Sequence, residues 1–148
     1  MNNGTLAHLT EQAEQARTQA AKVLADDRNN TQKIEQQLKV LKDYRNEYAQ
    51  QLQLQLMAGM KPSMLSTYRS FLVSLDNAIL QAQQTLAQHQ QKVSSSQQTW
   101  RDKQQRWQSF DLLQTRQQQQ IRQRAERREQ NLTDELSMAS YLRQQKKA

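Results

Sequence analysis

The stretch Met57-Ala58-Gly59-Met60-Lys61-Pro62-Ser63 decides how this chain folds. It holds the only proline and the only glycine beyond Gly4. Proline lacks the amide donor a helix interior needs, and glycine adopts the left-handed conformations that end helices, so a helix must break here and can restart. On both sides apolar residues recur three then four apart, the mark of a helix with one buried stripe. The sequence therefore predicts an all-α fold: a long antiparallel two-helix coiled-coil hairpin bent near residue 60.

The chain is expected to form a single coiled-coil rod over residues 1–148. Helix one spans about 5–57, the turn about 58–63 and helix two about 64–143. Thr5 and Ser63 are the expected N-caps, because a hydroxyl can accept from the orphan amides of a first turn. In helix one the alternation runs Leu6, Leu9, Ala13, Ala16, Ala20, Val23, Asp27, Asn30, Ile34, Gln37, Leu41, Tyr44 and Tyr48. In helix two it runs Leu65, Tyr68, Leu72, Leu75, Ile79, Ala82, Leu86, His89, Val93, Ser96, Trp100, Lys103, Trp107 and Phe110. A helix of about 50 residues would extend roughly 75 Å.

A bend at residue 60 fixes the register. Facing residues should have numbers totalling about 119 or 120, pairing Leu41 with Ala78, Ile34 with Leu86, Ala20 with Trp100 and Ala13 with Trp107. Large side chains then meet small ones, as good packing requires. The same register sets Asn30 opposite His89 and Asp27 opposite Val93, a polar layer of the kind that selects one alignment. From about residue 116 the first helix is used up. Only Ile121, Ala125, Leu132, Leu136, Ala139 and Leu142 continue the stripe, and a weakly ordered or partner-dependent tail is expected.

Composition narrows the function classes. Hydrophobic residues make up 35%, glutamine about a fifth, and the mean hydropathy is −1.07, too polar to fill a multilayered core. With no cysteine, neither disulfides nor thiolate chemistry can operate. No apolar run approaches the roughly 18 residues of a membrane span, and the first residues lack the pattern of a secretory signal. A soluble intracellular protein is the expectation. The net charge of +7 is concentrated late: residues 116–148 hold eight basic and four acidic side chains, so an acidic partner is expected there.

Catalytic signatures are missing: there is no Gly-rich phosphate loop, HExxH or Ser-His-Asp set. No catalytic residue, cofactor or metal is expected. His89 beside Asp27 and Asn30 reads as a structural seam histidine rather than a ligand set. The arginines between 122 and 128 are interleaved with Glu126 and flanked by Glu129, which reads as a salt-bridged face before a phosphate-tracking one. Tyr44, Tyr48, Tyr68 and Phe71 crowd the turns nearest the bend. Phe71 lies one residue off the Leu72 seam position, so its ring should be partly exposed, either as core packing or as a partner-binding patch.

The segment Leu41-Lys42-Asp43-Tyr44-Arg45-Asn46-Glu47-Tyr48, followed by Tyr68-Arg69-Ser70-Phe71-Leu72 and by Trp100-Arg101-Asp102-Lys103-Gln104-Gln105-Arg106, resembles the FliJ family. That family is the small coiled-coil component of the bacterial flagellar type III export apparatus. The resemblance covers nearly the whole chain. It implies a non-catalytic hairpin, similar in shape to the central stalk of rotary ATP synthases, at the inner face of the cytoplasmic membrane. It also implies three partners: the hexameric export ATPase FliI, the export-gate protein FlhA, and cargo-delivering export chaperones.

The family's gate-binding positions fall on Gln37, Leu41, Tyr44, Tyr48, Phe71, Leu75 and Ala78. Ala82, the next position of that stripe, departs from the polar residue of the family pattern. Charge and shape analogy assign the ATPase contact to Arg116, Arg122, Arg124, Arg127 and Arg128. Small-molecule substrates are not expected, and membrane contact is peripheral, through the apparatus. The competing classes are a generic coiled-coil scaffold and a basic helical nucleic-acid-binding protein, the latter distinguished by DNA binding at physiological salt.

Overall fold

A computed structural model describes residues 2–147. Two helices account for nearly all of it: α1, Asn3–Ala58, and α2, Pro62–Lys146, packed against each other as an antiparallel hairpin. Their contacts gather into two compact units, one formed by Thr18–Asp102 and the other by the residues up to Arg17 together with those from Lys103 onward. Among the described residues, no helix is long and apolar enough to cross a membrane.

The bend forms as the glycine and proline require. Gly59 takes φ +92°, in the left-handed region, and its amide donates to the Leu56 carbonyl at 3.4 Å, so it ends α1 as a C-terminal glycine cap. Pro62 is the first residue of α2, where its missing amide costs nothing and its fixed φ suits the helix. The amides of Met64 and Leu65 both donate to the Lys61 carbonyl at 3.1 Å. Lys61, not Ser63, therefore stands at the cap position; Ser63 lies inside the helix, with its carbonyl accepting from the Thr67 hydroxyl at 3.1 Å. The start of α1 shifts likewise. Asn2 accepts the Gly4 amide on its side-chain oxygen at 3.0 Å and the Leu6 amide on its carbonyl at 3.1 Å, which leaves Thr5 within the helix.

All fourteen positions of the α2 alternation, Leu65 to Phe110, are buried or half-buried. On α1 the structure corrects half the stripe. The column Leu6, Ala13, Ala20, Asp27, Ile34, Leu41 and Tyr48 faces inward as the sequence predicts. The other inward column is Thr10, Arg17, Leu24, Thr31, Leu38, Arg45 and Leu52, one residue later than the predicted one, in which Leu9 and Ala16 are half-buried but Val23, Asn30, Gln37 and Tyr44 are exposed. Leu24 is 7% exposed beside Val23 at 43%. The displaced column had been concealed by its polar members. Thr10 and Thr31 bury because their hydroxyls donate to the Leu6 and Asp27 carbonyls, both at 2.8 Å, one turn back. Arg17 and Arg45 are half-buried there, the first with its guanidinium over the Trp107 ring and the second paired to Asp76.

The polar layer is also rearranged. Asp27, 5% exposed, accepts a hydrogen bond from the Ser96 hydroxyl on Oδ2, and Lys92 Nζ lies 3.8 Å from its Oδ1. Asn30 is exposed and takes no part. The register itself agrees with the expectation, since Lys92 with Asp27 and Tyr48 with Phe71 both total 119. The Asp27 carboxylate is thus paired and hydrogen-bonded, which is the condition for burying it without a large penalty.

Past residue 117, α2 continues to Lys146 through a segment of strong helix formers, and every described residue from Gln118 to Lys147 is exposed. Helical structure thus extends through the tail. Arg143 and Lys146 in its last turn complement the negative end of the helix dipole.

Candidate interaction surfaces

In the unit formed by Thr18–Asp102, four aromatic rings from α1 and α2 meet near the bend. Tyr48 is the hub: its ring lies 4.5 Å from that of Phe71 and stacks at 4.8 Å on that of Tyr68. Tyr44 meets Phe71 edge-on at 6.1 Å. These are favourable aromatic geometries and hold the rings in fixed positions. Tyr44 is nevertheless 49% exposed and Phe71 37%, so the cluster is packed on its inner side and open on its outer one. Loss of water around the Tyr48 hydroxyl, and then the neighbouring Tyr68 and Tyr44, raise its pKa above the usual tyrosine value.

The eight positions assigned to gate binding differ in what they expose. Gln37, Tyr44 and Phe71 are exposed; Leu41, Tyr48, Ala78 and Ala82 are half-buried; Leu75, 8% exposed, is core. Their heptad positions explain why. Leu41, Tyr48, Leu75 and Ala82 lie in the seam columns, whereas Gln37, Tyr44, Phe71 and Ala78 each precede a seam residue and so line the flank where the two helices meet. In an antiparallel pair those preceding positions of both helices fall on the same side, and the Tyr44–Phe71 contact joins them. Arg45, which donates from Nε to Asp76 Oδ1 at 2.9 Å, ties the two helices beside this cluster. The Arg45 and Asp76 side chains are 39% and 52% exposed, so the pair contributes at most about 1 kcal/mol.

The second candidate surface belongs to the other unit. There Arg17 sits 4.1 Å over the Trp107 ring and donates to Gln104 at 3.4 Å, a cation–π contact that joins the N-terminal turns to α2. Arg116, Arg122, Arg124, Arg127 and Arg128 are all exposed, and among the described residues none forms an ion pair. The salt-bridged face that the sequence suggests is thus not formed among the described residues, since Glu126 and Glu129 pair with none of these guanidinium groups. Among the described residues no three potential ligands cluster as a metal site, and Asp27 is engaged by Ser96 and Lys92.

The sequence reading did not single out Val40, 66% exposed, nor the groove it shares with Lys33, Gln36, Gln37 and Leu41. The signal was present in the spacing. Val40 follows Gln37 by three and precedes Tyr44 by four, which sets it on the same side of α1 as both.

The fold and its half-open aromatic cluster define a two-helix coiled-coil protein whose candidate sites are surfaces. The family model described as "Flagellar FliJ protein" matches residues 1–146. Over 141 residues the chain is 36% identical to the "Flagellar FliJ protein" of Escherichia coli (strain K12), covering 95% of this chain and 96% of that one. It is 34% identical over the same length, with the same coverage, to the "Flagellar FliJ protein" of Salmonella typhi. The chain belongs to the flagellar FliJ family, and so to the components of the flagellar export apparatus.

Proposed function

We propose that this protein is a non-catalytic coiled-coil chaperone of the flagellar type III export apparatus, which binds the export ATPase FliI, promotes its assembly and activation, and links it to the export gate FlhA. It works in the cytoplasm, peripherally at the inner face of the membrane, alongside the chaperones that deliver cargo. It uses no cofactor. The mechanism is one of differential contact: the hairpin binds some assembly and subunit states of the ATPase ring more tightly than others and so shifts their populations.

The observation that carries the reading is the aromatic cluster. Tyr44 and Phe71 are locked against Tyr48 yet 49% and 37% exposed. Preorganised aromatic rings left open to water are what a protein interface uses as anchors. The five exposed arginines supply the complementary contact with an acidic face of the ATPase. Titration of the purified chain with the cytoplasmic part of the export gate tests the first contact. Tyr44→Ala with Phe71→Ala should weaken binding at least tenfold while far-ultraviolet circular dichroism stays near the parent's. Unchanged affinity in that variant would refute the gate assignment. Reversal of the arginine charges should reduce ATPase stimulation and flatten its salt dependence; an unaltered salt profile would remove the second contact.

A further inference from the structure

Overlapping the eight assigned positions at Gln37 and Leu41, α1 carries a shallow groove lined by these two with Lys33, Gln36 and Val40, about 540 Å³ in volume. We infer that this groove is an outer extension of the gate-docking surface. It receives an apolar side chain of the gate protein on Val40, with an adjacent carboxylate of the same protein paired to Lys33. The inference rests on the gate-binding reading above.

Three observations lead to that occupant. Val40 is 66% exposed in the middle of a helix whose seam is already filled by Leu38 and Leu41, so hairpin packing does not account for an apolar residue there. Its heptad position places it on the flank of Gln37 and Tyr44, the side on which Phe71 joins from α2. An apolar side chain seated on Val40 thus continues the surface of the two exposed rings.

The charge argument concerns Lys33. Its neighbours one turn away on α1 are Asn29, Asn30, Gln36 and Gln37, all neutral. Among the described residues it forms no ion pair, whereas Arg45 and Lys92 each have an acidic partner on the opposite helix. Lys33 therefore presents an uncompensated cation at the rim of an apolar groove. Burial of an apolar contact beside a carboxylate–ammonium pair is the chemistry that rim selects.

The test compares variants of the full chain for binding to the cytoplasmic part of the export gate, with Tyr44→Ala run in parallel. Val40→Asp should weaken binding roughly tenfold, since it sets a desolvated charge against an apolar side chain. Val40→Leu should retain affinity. Lys33→Glu should weaken binding about threefold or more at low salt, with the difference shrinking as salt rises. Because both residues are exposed, helicity and melting temperature should stay close to the parent's, which separates lost docking from lost folding. If Tyr44→Ala weakens binding but Val40→Asp and Lys33→Glu do not, the extension is overturned and the aromatic docking site stands. If Tyr44→Ala leaves binding intact while Val40→Asp abolishes it, the groove is the docking site and the aromatic assignment falls. If none of the variants changes affinity, both are overturned.

Discussion

Leu24→Ala and Val23→Ala give the sharpest test of which face of α1 is turned inward. The two residues are neighbours in sequence, similar in size and both apolar, yet Leu24 is 7% exposed and Val23 43%. Truncating Leu24 removes three buried carbons, which at about 0.8 kcal/mol each amounts to about 2.4 kcal/mol before any cavity term. A seam between only two helices can close around the gap from its open flanks, so the total should stay near the low end of the Leu→Ala range, about 2–3 kcal/mol. For a chain of this length that lowers the melting temperature by about 4–12 °C. Val23→Ala loses little buried area and gains helix propensity, so its effect should lie within about 0.5 kcal/mol of zero. Thermal unfolding followed by circular dichroism reads both. Equal losses, or a larger loss at Val23, would show that the inward column is the one beginning at Leu9 and that the flank bearing Tyr44 and Gln37 is misassigned.

Gly59→Ala should destabilise the hairpin by about 1 kcal/mol, because φ +92° strains any residue with a Cβ, although no atom within 4 Å would meet that carbon; urea unfolding measures it. Asp27→Ala should cost about 1–3 kcal/mol, since it leaves the Ser96 hydroxyl without its acceptor, whereas the double variant Asp27→Leu with Ser96→Ala should recover most of that loss in the same assay. The raised Tyr48 pKa makes stability fall in alkali. The folded hairpin holds that proton to higher pH than the unfolded chain, so the contribution is complete below the unfolded value, near pH 10, and disappears as pH climbs through the folded one. Spectrophotometric titration of the phenols should show a late-ionising component that Tyr48→Phe removes.

Most of the fold can be read in the sequence because α2 keeps apolar or aromatic residues at eleven of fourteen seam positions and because Gly59 and Pro62 leave only one place to bend. Half of the α1 seam cannot. Thr10 and Thr31 look polar until their hydroxyls are seen to bond the preceding turn, and Arg17 and Arg45 look exposed until their guanidinium groups are found against Trp107 and Asp76 of the other helix. A count of apolar residues thus favours the column one position earlier, which is in fact the flank. That displacement also explains why Tyr44 and Gln37 stand exposed, while Leu75 lies beneath the surface. The caps lie elsewhere for a related reason: Ser63 and Thr5 have the right side chains, but Pro62 as the first helical residue sets the cap at Lys61, and Asn2 with its side-chain acceptor takes the cap of α1.

Pairing of α1 with α2 inside one chain, with Asp27 set against Ser96, is the claim on which every surface described above depends. The chain has no cysteine of its own, so Asp27→Cys with Ser96→Cys supplies the only two thiols, and a short bis-maleimide can report their proximity. The account predicts a fast bridge within single chains, seen as a compact monomeric band at low protein concentration. Bridging only between chains, or none at all while a control pair at Asn30 and Thr99 reacts, would contradict it.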